Sequence, residues 1–194
     1  MKIDDENFTE VLYEAVTFAT NVHRGQKYGN VEYIHHLAAT AATLMSFHCW
    51  EPELIVAAWL HDTLEDTDAT LEDLESRFGA RVAALVDAVT DGPGGTRKER
   101  KMRPYKLIPT VPGAVTLKIA DRLANVTTSI VHNNTKYAEM YAEEHDEFRT
   151  IYYCIPADDT ATHLMAITLT QHLAPYMVDP LRIMKIEGAE DLRK

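Results

Sequence analysis

Cysteine, long apolar runs and positive charge are all scarce in this 194-residue chain. Cys49 and Cys154 are its two cysteines, too few for a disulfide framework, so a reducing cytoplasm is the expected setting. No stretch of 18 apolar residues occurs, so no membrane-spanning helix is expected. The opening MKIDDENFTE is acidic and has neither the basic flank nor the apolar stretch of a secretory signal. Lys and Arg number 19 against 30 Asp and Glu, a net charge of −11. That balance argues against nucleic acid as a partner, because phosphates need cations to neutralise them. It allows a small anionic substrate wherever positive charge is concentrated, as in Arg97-Lys98-Glu99-Arg100-Lys101-Met102-Arg103. Alternation of period 2 is missing over any convincing length, and no internal repeat occurs.

Helical periodicity is what the chain does have. Phe8, Val11, Leu12, Ala15, Phe18 and Ala19 follow the i, i+3, i+4, i+7 rule and predict a helix over 8–23. Residues 25–33, with Gly29-Asn30, read as a loop. Further helices are expected over 35–49, from Pro52 (which suits a first helical turn), over 70–78 between Thr70 and Gly79, and over 81–90. A loop over 91–95 precedes the basic segment, which Pro104 is expected to kink or divide. Apolar residues over 114–126 and patterns over 135–153 and 158–173 add three more helices. Residues 180–194 are mixed in charge and read as a tail or a partner-binding helix. With 46% hydrophobic residues the chain is long enough for a single all-α domain, 1–194. Its oligomeric state stays open, a homo-oligomer included.

The most informative stretch is Leu60-His61-Asp62-Thr63-Leu64-Glu65-Asp66, at the end of the apolar run Leu54-Ile55-Val56-Ala57-Ala58-Trp59. On one continuous helix His61 would stand over Glu65 and Asp62 over Asp66. Such a cluster is costly at the edge of a core unless an ion or a hydrogen-bond network compensates it. Tyr33-Ile34-His35-His36-Leu37 and Asp121, with Asn125 one turn on, are two further clusters. His36, His61, Asp62 and Asp121 together offer two imidazoles and two carboxylates, a set suited to manganese, iron or zinc rather than calcium or magnesium. Four protein ligands leave room on an octahedral ion for a water and a substrate oxygen. Glu65 and Asp66 are then placed to orient or deprotonate that water. The plainer alternatives are a core histidine at His36, a surface ion pair at Asp121-Arg122 and a capping role for Asn125.

The order H-x-G-Q, Y-I-x-H, H-D-x-x-E-D-T, F-G-x-x-V-x-x-L-V-x-x-V-T-D and K-x-A-D-R-L-x-N resembles the HD-type hydrolase domain of the RelA/SpoT family. Here those motifs are His23 to Gln26, Tyr33 to His36, His61 to Thr67, Phe78 to Asp91 and Lys118 to Asn125. The chain is similar to the stand-alone small alarmone hydrolases, the group that includes the metazoan SpoT homologue. The match covers residues 8–130, and 134–178 would form the helical region that closes the pocket. The resemblance implies an HD-domain bundle of about eight to ten helices and a bound Mn2+, with other first-row divalent ions able to replace it. It implies hydrolysis of guanosine tetra- or pentaphosphate at the 3′-pyrophosphate, giving GDP or GTP and pyrophosphate. His36, His61, Asp62 and Asp121 would be the metal ligands and Glu65 and Asp66 the catalytic pair. Asn125 would line the nucleotide pocket, Lys98, Arg100 and Lys101 would meet the phosphates, and Tyr141 would belong to the closing helix.

Two positions depart from the family pattern. Tyr28, beside Lys27, stands where an arginine usually packs on the guanine, and Leu37 replaces the common proline after the histidine. A tyrosine can stack on a base but is neutral. An alternative is therefore a phosphatase with the same centre acting on NADPH or a phosphoadenosine derivative. A second is a helical domain that binds a nucleotide without turnover, and a nuclease is disfavoured by the acidic balance.

Overall fold

The computed structural model describes residues 2–177. Its helices are α1 (Phe8–Val22), α2 (Ile34–Ser46), α3 (Pro52–Leu60), α4 (Thr63–Asp66), α5 (Leu71–Phe78), α6 (Ala80–Val89), α7 (Arg97–Leu107), α8 (Ala114–Val131), α9 (Thr135–Glu143), α10 (His145–Phe148) and α11 (Thr160–Leu173). Short 3-10 turns follow α7, α10 and α11. The all-α expectation holds, and no helix among the described residues is long and apolar enough to cross a membrane. The stretch read as a tail, 180–194, lies outside the described residues.

The layout follows from burial. In α3, Leu54, Ile55, Val56, Ala57, Ala58 and Leu60 are all buried, so this helix has no solvent stripe and must sit inside the bundle. Helix α8 is likewise buried over most of its length, packed by α2, α6, α9 and α11. One continuous hydrophobic cluster joins these elements. Leu37, where a proline is usual, is fully buried in that cluster and anchors the first turn of α2.

Several segments differ from the sequence expectation. Residues 25–33 contain a two-stranded hairpin, β1 (Lys27–Tyr28) against β2 (Val31–Glu32), with Tyr28 opposite Val31. Strands of two residues are too short to show any alternation. The helix expected over 135–153 is divided into α9, α10 and a 3-10 turn. The run through His61 and Asp62 is also broken, because α3 ends at Leu60 and α4 begins at Thr63. Conversely, α7 passes through Pro104 without dividing. Proline has no N–H, so the Arg100 carbonyl one turn back is left without its helical donor. The Gly92 N–H fills that place at 2.8 Å. A Cβ on Gly92 would come within 3.3 Å of both that carbonyl and Arg103 Cβ. The loop beginning at Asp91 is thereby fastened to α7.

A candidate metal centre and its cleft

Four side chains from three places in the fold converge. His36 lies in the first turn of α2, His61 and Asp62 in the turn between α3 and α4, and Asp121 in the middle of α8. The two imidazole Nε2 atoms are 3.2 Å apart. Asp62 Oδ2 lies 3.3 Å from the His36 nitrogen and 3.1 Å from that of His61. Asp121 Oδ1 lies 3.3 and 3.5 Å from the same two atoms. His36, His61 and Asp62 form a group whose ligand atoms could share one metal ion.

The donor chemistry fits a divalent cation. His61 Nδ1 donates to the Ala58 carbonyl at 2.8 Å, so its neutral ring presents a bare lone pair at Nε2. In that neutral form the lone pair faces a second imidazole nitrogen and two carboxylates in a buried place, an arrangement that a bound cation or protons on the histidines would stabilise. Burial opposes protonation of His36, yet the Asp121 and Asp62 carboxylates outweigh it and raise its pKa. The same holds for His61, where burial is overcome chiefly by Asp62 and Asp121. Burial would raise the Asp62 carboxyl, but the two histidines hold it far below the usual range. In Asp121 burial is overcome first by Lys118 and then by the histidines. Lys118 Nζ sits 3.5 Å from Asp121 Oδ2 and donates to the Val89 carbonyl at 3.0 Å. Asn125 Nδ2 donates to Asp121 Oδ1 at 2.6 Å.

The acidic pair flanks this cluster. Asp66 Oδ2 accepts from Tyr33 Oη at 2.7 Å, and the same hydroxyl is 2.8 Å from Asp62 Oδ2. Glu65 turns the other way, and its Oε2 accepts the Asp91 N–H at 3.3 Å. Burial, followed by the Asp91 charge, raises the Glu65 pKa. Burial is also the main reason that the Asp66 pKa is raised, with Asp62 adding to it against the Tyr33 hydrogen bond. A carboxylate raised toward neutral pH is a better proton acceptor.

Beside the cluster opens a cleft of about 150 Å3 whose lining includes four cationic side chains, Arg97, Lys101, Lys118 and Arg122. Arg122 is buried, donates to Glu144 Oε2 at 2.9 Å and lies over the rings of Tyr141 and Phe148. Arg97 pairs with the same Glu144. Tyr28 stacks on His36 with centroids 4.8 Å apart, and its hydroxyl donates to Asn125 Oδ1.

Of the residues singled out in the sequence, Tyr28, His36, Asp62, Glu65, Asp66, Lys101, Asp121, Asn125 and Tyr141 line this cleft, with His61 behind them. Lys27 instead pairs with Glu32 on the exposed hairpin. Lys98 is 74% exposed and 3.5 Å from Glu147. Arg100 lines a neighbouring cleft between α4 and the 91–94 loop. Sequence reasoning missed Tyr33, Asp91, Arg97, Lys118 and Arg122 as site residues, although Tyr33, Asp91, Lys118 and Arg122 all stand inside the quoted motifs.

Comparison with known proteins sets this geometry in context. Residues 15–152 match the family described as HD domain. The chain is similar to guanosine-3′,5′-bis(diphosphate) 3′-pyrophosphohydrolase MESH1 of Mus musculus, 36% identical over 71% of this chain and 79% of that protein. It is 42% identical to the Danio rerio protein of the same name, over 61% of this chain and 68% of the relative. The guanosine-3′,5′-bis(diphosphate) 3′-pyrophosphohydrolase of Aquifex aeolicus is 40% identical over 69% of this chain but only 20% of its own length. Among solved structures, one described as a metazoan ortholog of SpoT that hydrolyzes ppGpp superposes with a TM-score of 0.62 at 24% identity. That superposition covers 88% of this chain and 97% of the other, and shows a shared fold.

Proposed function

The chain belongs to the HD domain family, and on that premise we propose that it is a metal-dependent 3′-pyrophosphohydrolase of guanosine tetra- and pentaphosphate. The products are GDP or GTP and pyrophosphate. The observation that carries this reading is the pairing, in one cleft, of a two-imidazole, two-carboxylate cluster with four cationic side chains. Relatives named for this reaction at 36% and 42% identity support it.

His36, His61, Asp62 and Asp121 would hold the ion, which we take to be Mn2+, with other first-row divalent ions able to occupy the same donors. When bound, the ion supplies charge neutralisation on the phosphoryl group and a lowered pKa for water. Glu65 and Asp66 orient the attacking water and accept its proton. The new bond forms between the water oxygen and the phosphorus attached to the ribose 3′-oxygen. The bond from that phosphorus to the 3′-oxygen breaks, and the 3′-oxygen leaves as a hydroxyl once it gains a proton. Arg97, Lys101 and Arg122 face the phosphates and concentrate positive potential on an otherwise acidic surface. Tyr28, Asn125 and Tyr141 border the nucleoside end, Asn125 with its amide turned onto Asp121. The chain would work as one hydrolase domain in the cytoplasm.

One observation favours a second substrate. Tyr28 is neutral and its hydroxyl is spent on Asn125, so these two residues present little that selects guanine over adenine. An adenine nucleotide such as NADPH or a phosphoadenosine derivative is the alternative. The test is release of pyrophosphate from guanosine tetraphosphate by Mn2+-loaded protein, with release of orthophosphate from NADPH and 3′-phosphoadenosine compounds measured alongside. Manganese-dependent cleavage of the guanosine compound is expected. Silence on it together with turnover of an adenine compound would move the assignment to the alternative.

A further inference from the structure

The H-x-G-Q motif, His23-Arg24-Gly25-Gln26, has no part in the chemistry above, yet it touches the centre from 40 residues away. Asp66 is the last residue of α4, a helix of four residues followed by an extended Thr67. A single turn does not stabilise itself, and its final carbonyls have no partner within the helix. Gln26 Nε2 supplies that partner, donating to the Asp66 carbonyl at 2.7 Å. With the amide nitrogen so used, Gln26 Oε1 is left as acceptor, and it meets His23 Nδ1 at 2.8 Å. His23 must therefore carry its proton on Nδ1. His23 is 3% exposed, and its buried Nε2 has no partner among the described residues.

Tyr33 closes the arrangement. Its ring lies flat on His23, 4.7 Å between centroids at 9°. Its N–H donates to the Gln26 carbonyl at 3.2 Å, and its hydroxyl reaches Asp66 Oδ2 at 2.7 Å. Asp66 is thus held at its backbone by Gln26 and at its carboxylate by Tyr33, while His23 touches both holders. The glycine has a place in this too. Gly25 has φ +83°, a left-handed turn that lets the Gln26 N–H return to the His23 carbonyl at 2.9 Å.

We propose that His23, Gln26 and Tyr33 form a bracket of positioning residues that fixes the Asp66 carboxylate against the metal cluster. This rests on the assignment of Asp66 to the attacking water. A bracket that only stabilised the fold would not need to meet Asp66 at two points, and a two-point hold is what a reacting geometry requires.

The decisive experiment measures kcat, KM, bound metal per chain and melting temperature for Gln26→Ala, alone and in an Asp66→Ala background. The bracket predicts a loss of roughly 10- to 100-fold in kcat, with KM and metal content held and the melting temperature lowered only by the several degrees that the two lost hydrogen bonds cost. In the Asp66→Ala background the same substitution should change kcat by less than about twofold, because its effect passes through Asp66. His23→Phe keeps the ring stack, removes the hold on Gln26 and should behave alike, which keeps the test open if Gln26→Ala does not fold. An unchanged kcat, a loss matched by falling metal content or by unfolding at the assay temperature, or a full effect without Asp66 would overturn the bracket. Failure of the underlying assignment reads differently. Asp66→Ala alone would then keep wild-type kcat, before any bracket residue is touched.

Discussion

Lys101 offers a pH test whose sign separates binding from folding. Its side chain is 10% exposed, and burial lowers its pKa to about 8, with Lys118 and Arg122 pushing the same way. Asp91, 4.0 Å away, opposes the shift without cancelling it. In the free enzyme the ammonium is therefore half lost near pH 8, and each further pH unit removes about nine-tenths of what remains. If that charge meets a substrate phosphate, kcat/KM should fall up to roughly tenfold per unit above pH 8. Bound phosphate favours the charged form, so kcat itself should bend at higher pH. Lys101→Arg stays charged throughout and should flatten the kcat/KM limb.

Stability moves the other way. The folded pKa lies below the unfolded value of 10.5, so between about pH 8 and 10.5 the unfolded chain binds the extra proton. The cost of holding Lys101 charged in the fold, on the order of 3 kcal/mol, is present below pH 8 and relieved as pH rises through that window. Lys101 thus makes the protein more stable in the interval where kcat/KM declines. The assay is a pH series of initial rates for the native protein and Lys101→Arg, with melting curves in the same buffers. A Lys101→Arg profile that bends at the same pH as the native one would refute the assignment of this side chain to the substrate.

Other outcomes follow from the same geometry. Divalent metal at 100 times its Kd should stabilise the protein by about 2.7 kcal/mol and raise its melting temperature by about 5–11 °C. Asp62→Ala should abolish that rise in a thermal-shift titration. Leu37→Ala, a fully buried truncation beside His36, should cost about 3 kcal/mol and roughly 6–12 °C by calorimetry. Tyr28→Phe frees the Asn125 oxygen from the Tyr28 hydroxyl and should alter KM on nucleotide substrates more than kcat.

The side chains proposed as ligands and the acidic pair could be picked out because each stands at a fixed spacing against an apolar helix, and the structure brings those side chains together. Other features had no local signal. Segment 97–103 is polar on every side, so no apolar stripe orients it. In the folded chain Arg97 and Lys101, four residues apart, share the face toward the cleft, whereas Lys98 and Arg100 point away from it. Arg122 beside Asp121 has the pattern of a surface ion pair. Its actual partners, Glu144, Tyr141 and Phe148, are 19 to 26 residues distant and arrive only with tertiary packing. The break between α3 and α4 was hidden because His61 and Asp62 themselves carry helix-like backbone angles across it.

The division of labour in the centre is the claim most directly open to measurement: metal content and turnover, determined side by side for Glu65→Ala and Asp121→Ala. The account predicts that Glu65→Ala keeps its metal and loses most turnover, while Asp121→Ala loses the metal and activity with it. Loss of the metal from Glu65→Ala, or its retention by Asp121→Ala, would contradict the assignment.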